Sequence, residues 1–240
     1  MSRQGTRERR PLPPPLPPVS RTVGQVVAQA IELYQRNFFR ALVLGLPVAV
    51  VDVVLLSADL SLVGRSAVLL AASPAFSLAY AGACAIRQAE RPPLAVWLTA
   101  VVLGVVTFLP AALLSTWFAL LSVLWLGLAG HAVPVVMAER LGPLPALRRA
   151  IELGRADYVH AAGSFATLAI LFALTRLALG LLLSSQADAT VRAAVFLADL
   201  ALSPLIFLGA AIVYVDLAAR VGLSREERRR LRLGVTGQAK

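Results

Sequence analysis

A chain of 240 residues is long enough for one or two soluble domains, but with 58% hydrophobic and only 15% charged residues it cannot cover a water-soluble fold. Its formal charge of +10 does not make it a nucleic-acid module, because the basic residues fall in short segments between apolar runs, without base-reading or stacking groups on a solvated face. The single cysteine, Cys84, sits in an apolar run and excludes both a disulfide framework and a cysteine-rich metal site.

Residues 1–20 join Arg3, Arg7, Arg9 and Arg10 to the run Pro11-Leu12-Pro13-Pro14-Pro15-Leu16-Pro17-Pro18, which cannot be helical and favours extended polyproline II. The expectation is a disordered cytoplasmic tail, either a solvated leader or a strand for a proline-reading partner. No cleavable signal peptide is apparent, and Arg9-Arg10 is no twin-arginine signal because prolines follow where an apolar region should begin. Next, Val23, Val26, Val27, Ala30, Ile31, Tyr34 and Phe38 recur at helical spacing, with Gln25, Gln29, Glu32 and Arg36 on the other face. This predicts an amphipathic helix along the inner interface, with Thr22 and Gln25 as a capping box.

Six apolar stretches follow, predicting spans at about 41–58, 66–86, 94–114, 117–137, 159–183 and 192–214 within a membrane domain at 21–220. No charge occurs between Arg91 and Glu139, and one straight helix over that stretch would be about 70 Å long, so it must fold back. The fold-back is expected near Pro110 to Thr116; five spans or a re-entrant segment remain alternatives there. Prolines at 47, 74, 110, 134 and 204 fall in five of the six spans. Along the second span, Ala71, Ala75, Ala79 and Ala83 form a stripe suited to close helix contact, with Ser73 and Ser77 beside it.

Orientation follows from the basic residues outside the spans. Seven precede the first span, Arg87 and Arg91 follow the second, Arg140, Arg148, Arg149 and Arg155 follow the fourth, and seven follow the last. Only Arg65 and Arg192 fall on the other side. Both termini are therefore expected in the cytoplasm. Nearly all basic residues are arginine, and Ala, Leu and Val dominate, which reads as the codon bias of a GC-rich bacterium and points to its inner membrane.

Each odd-numbered span is preceded by a basic, partly amphipathic segment, at 21–38, 87–97 and 142–157. Ala30-Ile31-Glu32-Leu33 recurs as Ala150-Ile151-Glu152-Leu153. The pattern suggests an interfacial helix plus a transmembrane hairpin, repeated about every sixty residues.

Three ionisable residues lie inside spans: Asp52, Arg176 and Asp199. Each is seven or eight residues from its outer boundary, roughly 11 to 12 Å at helical rise, so all three sit at similar depth. A charge there requires pairing or hydration, and the expectation is an outer-leaflet cluster in which Arg176 pairs with Asp199 and Asp52. It would serve either to fix helix register or to bind a solute. The two histidines, His131 and His160, belong to no metal-binding or nucleophile motif, no phosphate-cradling glycine loop occurs, and no cofactor is implied.

Beyond the last span, Asp216 and Arg220 are spaced for an i,i+4 pair. Ser224 with Glu227 is expected to cap a final helix carrying Arg225, Arg228, Arg229, Arg230 and Arg232. This basic tail, 221–240, is expected to lie on anionic lipid headgroups at the cytoplasmic face.

Val23-Gly24 and Leu33-Tyr34-Gln35-Arg36-Asn37-Phe38 form one set of short motifs. Others are Pro134 through Glu139, Gly142-Pro143-Leu144, Ala146-Leu147-Arg148-Arg149 and Tyr214-Val215-Asp216-Leu217. In these, residues 21–220 resemble the membrane domain of glycerophosphodiester phosphodiesterases and similar bacterial multi-span proteins. The resemblance implies a six-helix membrane module. The soluble catalytic domain of the longer members has no counterpart here, so their catalytic residues do not carry over. The expected function is that of a non-enzymatic module acting through membrane lipids, a membrane-protein partner or a second copy of itself; the alternative is a small transporter or transport-complex subunit using Asp52, Arg176 and Asp199.

Overall fold

The computed structural model describes residues 21–88 and 90–232, with side chains described as far as residue 222. The predicted tail at 1–20 lies outside the described residues. Every regular element among those described is a helix.

The amphipathic segment forms α1 (Val23–Arg36), whose start is fixed by Gln25 Oε1 accepting from the Thr22 backbone N–H at 2.8 Å. Val26 and Ala30 are fully buried, while Glu32 and Arg36 pair at 2.6 Å on the open face. Asn37 ends α1 by donating from its backbone N–H and Nδ2 to Leu33 O, and its own carbonyl accepts from Ala41 in the next turn. One residue thus joins two helices with little break.

The first span begins at Phe38, earlier than expected, and consists of α2 (Phe38–Leu44) and α3 (Leu46–Ser57). Gly45 separates them, and Pro47 is tolerated because it falls in the first turn of α3, where no intrahelical donor is needed.

In α4 (Leu62–Ile86), Ser61 Oγ caps the first turn by accepting from Gly64 N at 3.2 Å. Pro74 removes the donor that Leu70 O would have met, and Ser73 Oγ donates to that carbonyl at 2.7 Å instead. The expected contact stripe is corrected: Ala79 and Ala83 are buried but Ala71 and Ala75 are exposed, and the close face continues through Ser73 and Ser77. The described residues of the 87–93 segment form no interfacial helix; α5 (Leu94–Trp117) starts directly after Pro93.

The charge-free run folds as two spans, but its break is at Phe118, not between Pro110 and Thr116. Pro110 stays inside α5, and Ser115 and Thr116 turn their hydroxyls onto carbonyls of their own helix, at Ala112 and Leu113, rather than forming a turn. The fourth span is α6 (Ala119–Ala129) and α7 (Ala132–Glu139), separated at Gly130 and His131. Residues 132–137 are all buried.

The second amphipathic helix, α8 (Pro143–Ala156), lies against the junction of α6 and α7. Gly154 makes this possible: a Cβ there would stand 2.5 Å from Leu128 O. Asp157 then caps α9 (Tyr158–Leu182) by accepting from His160 N at 3.2 Å. The last helix, α10 (Asp188–Arg232), runs unbroken for 45 residues. Ser224 therefore starts no separate helix, and the last span extends to Gly222 rather than 214.

Six helical stretches are long and apolar enough to cross a membrane, at Phe38–Ser57, Leu62–Ile86, Leu94–Trp117, Ala119–Glu139, Tyr158–Leu182 and Asp188–Gly222. Their outward faces carry Val50, Val102, Val106, Ile170, Leu174 and Leu177, so the bundle is apolar on its outside as well as in its core. The protein is thus a multi-pass, all-α membrane bundle. Connections at 58–61, Phe118 and 183–187 mark its short-loop end; α1, α8 and the 87–93 connection mark the other. Helix α10 packs on α3, α9 and α1, and also meets α2, α4 and α8, which makes it the central strut. At its crossing with the first span, a Cβ on Gly45 would fall 2.3 Å from Leu200 O. That carbonyl is the one Pro204 leaves without a helical donor, so a residue without a side chain faces a backbone group that needs room.

Candidate functional site

The three charges singled out inside the spans meet near the short-loop end. Arg176 on α9 reaches both Asp52 on α3 and Asp199 on α10. Arg176 donates from Nη1 to Asp52 Oδ2, and its Nε stands 3.6 Å from Asp199 Oδ1. The Phe172 ring, one turn earlier on α9, lies 5.7 Å beneath the guanidinium. Asp199 is fully buried, as is Ser203 one turn further along α10, and neither Asp199 oxygen has a hydrogen bond at standard geometry. Two acidic side chains thus share a single arginine.

A second charge network, not expected from the sequence, lies at the opposite end. Asp216 is fully buried and receives Arg21 Nη1 at 2.7 Å, which ties the start of α1 to α10 across 195 residues of chain. His160 Nε2 lies 3.8 Å from the other Asp216 oxygen. Arg220 pairs with Asp157 and also donates to Arg21 O at 3.2 Å. The expected Asp216–Arg220 pair within one helix is therefore replaced by two pairs between elements. Nearby, Glu139 accepts from Tyr214 Oη at 3.1 Å and from Arg149 Nε at 3.4 Å, joining α7, α10 and α8.

Asp216 was detectable in principle, as a lone acid in the apolar run from Ile212 to Leu217. Placing the span end at 214 hid it among solvated groups.

Arg87 follows α4 at this same end. Its Nη1 donates to Ala211 O at 2.8 Å; the residue is exposed overall, and desolvation of the part that packs on the protein lowers its pKa from the usual arginine value. Two cavities meet at its side chain. One of about 160 Å³ is bounded by Gln29, Glu32, Leu33, Arg36 and Ile212 of α1 and α10. The other, about 150 Å³, reaches between Cys84, Pro134, Ala138, Ala211 and Val215, with Gln88 and Tyr214 at its wall. Asp52, Arg176 and Asp199 line neither.

His131 is fully buried at the α6–α7 junction, packed on Phe165 with ring centres 5.6 Å apart. Among the described residues no group of three or more His, Cys, Asp or Glu side chains is placed to hold a metal ion. The backbone of α10 carries Arg225, Arg228, Arg229, Arg230 and Arg232, whose side chains lie outside the described residues.

No family model, curated protein or solved structure matches this chain.

Proposed function

We propose that the chain is a non-enzymatic membrane module acting through lipids or a partner protein, with α1 and α8 as its contact surface. In this reading it resides in a bacterial inner membrane with both termini in the cytoplasm, where twenty of its basic residues would lie. One observation carries it: Asp52, Arg176 and Asp199 near the short-loop end are engaged with one another and line neither cavity at Arg87, whereas both of those cavities lie at the end where α1 and α8 dock. Both docked helices keep a polar edge outward, with Gln35 and Arg36 on α1 and Arg148, Glu152 and Arg155 on α8 exposed. Past Gly222, α10 continues for ten residues, about 15 Å of helix, long enough to hold its arginines against anionic headgroups.

Native mass spectrometry of the protein extracted in its own lipids tests this. A retained lipid or a stoichiometric protein partner is the expected result. A bare monomer that drives solute uptake in proteoliposomes would overturn it.

A second reading, a transport subunit, rests on the asymmetry of the layer near the short-loop end. Asp199 is buried without a hydrogen-bond donor, and two acids face one base. Uptake abolished by Asp199→Asn in a variant that still folds would favour it.

A further inference from the structure

We infer that Arg87 seats a phosphate group in the cleft between α1, the end of α4 and α10; the inference rests on the lipid-facing reading above and names its ligand chemistry. Arg87 is set apart by lining both cavities without an ion pair; exposed arginines such as Arg40 and Arg91 form no ion pair among the described residues either, but line neither cavity. Arg21 is matched by Asp216, Arg36 by Glu32, Arg149 by Glu139 and Glu152, and Arg220 by Asp157. Arg87 has no carboxylate within ion-pair distance among the described residues, only the neutral carbonyl of Ala211. Of the five N–H donors on a guanidinium, one is thereby used, and the rest remain for the fork-shaped recognition that arginine gives to phosphate.

The local charge agrees. Of the charged residues lining the α1-side cavity, Arg36 is matched by Glu32 and Arg87 is not, which leaves one positive charge unmatched. The space also agrees. Each cavity is about half the volume of the smallest pockets that enclose a drug-sized molecule, so a headgroup fits while the rest of the molecule stays outside. Gln29 and Arg36 make the wall on the α1 side polar, whereas Cys84, Pro134, Ala138 and Val215 make the other largely apolar. Arg87 is the residue common to both, immediately beyond the last apolar turn of α4. An amphiphile whose phosphate meets Arg87 would find a polar wall on one side and an apolar one on the other.

Free inorganic phosphate shares the headgroup's chemistry, so the test separates them. The purified full chain in detergent is titrated with dioleoylphosphatidylglycerol and, separately, with inorganic phosphate. Bound species are read by native mass spectrometry for the wild type, Arg87→Gln, Arg87→Lys and the control Arg148→Gln, which lines neither cavity. The expected result is one lipid retained by the wild type and Arg148→Gln, with about ten-fold weaker retention in Arg87→Gln and intermediate retention in Arg87→Lys, which keeps charge but loses the fork. Thermal melting of each variant identifies any that is unfolded, and Arg87→Lys preserves the test if Arg87→Gln fails to fold.

Arg87-dependent binding of inorganic phosphate without lipid retention would support the site but assign it to a soluble phosphate. Lipid retained equally by the wild type and both Arg87 variants would overturn the site while leaving the lipid-module reading intact. No binding of either probe would overturn the site, and the separate partner measurement would then decide the module reading.

Discussion

Asp52, Arg176 and Asp199 respond unequally to substitution because two acids depend on one base. Removing Arg176 leaves two partly desolvated carboxylates facing each other, a larger penalty than removing all three charges together, since an unpaired buried charge is worse than an apolar replacement. Arg176→Leu is therefore expected to lower stability by about 3 kcal/mol or more, and the triple variant Asp52→Asn, Arg176→Leu, Asp199→Asn by clearly less. Thermal melts in detergent decide this; equal melting of both variants with the wild type would remove the layer from any account of stability. The opposite network makes a complementary prediction. Asp216→Asn loses the anchor of Arg21, so α1 should loosen and the segment around Arg21 and Arg36 should become sensitive to trypsin in folded protein. An unchanged digestion pattern would show that Val26 and Ala30 hold α1 without it.

The first network was legible because a charge in an apolar run stands out and helical rise gives its depth. The second was not. Asp216 and Arg220 fall beyond the expected span end and are spaced for a pair within one helix, and choosing instead among partners 63 to 195 residues apart requires the packing of α1 and α9 on α10.

Helix by helix, what decides the fold is how carbonyls freed by proline are satisfied. Leu70 O is met by Ser73, and Leu200 O occupies the space left by Gly45. Gly45→Val should accordingly be among the most damaging single changes. Its side chain would enter a backbone contact that no rotamer can relieve, with a loss of about 1–3 kcal/mol or more and a lowered melting point. Ser73→Ala should cost about 1–3 kcal/mol for the unmet carbonyl. If both variants melt with the wild type, these helices tolerate free carbonyls by local unwinding instead.

The same chemistry explains which boundaries could be read in advance. Proline looked like a break at 110 but is carried inside α5, while Phe118, with no turn residue at all, is where the chain reverses. Period and apolar length identify helices. They do not identify a one-residue reversal whose geometry is set by how α5 and α6 pack. The repeat of α1 and α8 was visible as four identical residues. Its absence at 87–93 follows from Pro92 and Pro93, which prevent that segment from becoming helical before Leu94.

For the whole molecule, the unequal distribution of charge is the feature with the most direct test. Three short connections at one end carry no arginine at all, and the two nearest, Arg65 and Arg192, lie in the first turns of α4 and α10. The other end carries the pairs around Asp216 and Glu139, the cleft at Arg87 and the exposed Arg148 and Arg155. Moving such a concentration of arginine across a bilayer is far more costly than moving the short loops, which is the physical basis of the proposed orientation. With the sole native cysteine replaced by Cys84→Ala, single cysteines at Ala58 and Gln186 should react with a membrane-impermeant maleimide in intact cells. Cysteines at Leu141 and Arg91 should react only after permeabilisation. The reverse pattern would place α1, α8 and the Arg87 cleft outside, away from cytoplasmic partners. Labelling of both sets in intact cells would mean that the chain inserts in both orientations, and that twenty arginine and lysine residues do not settle its topology.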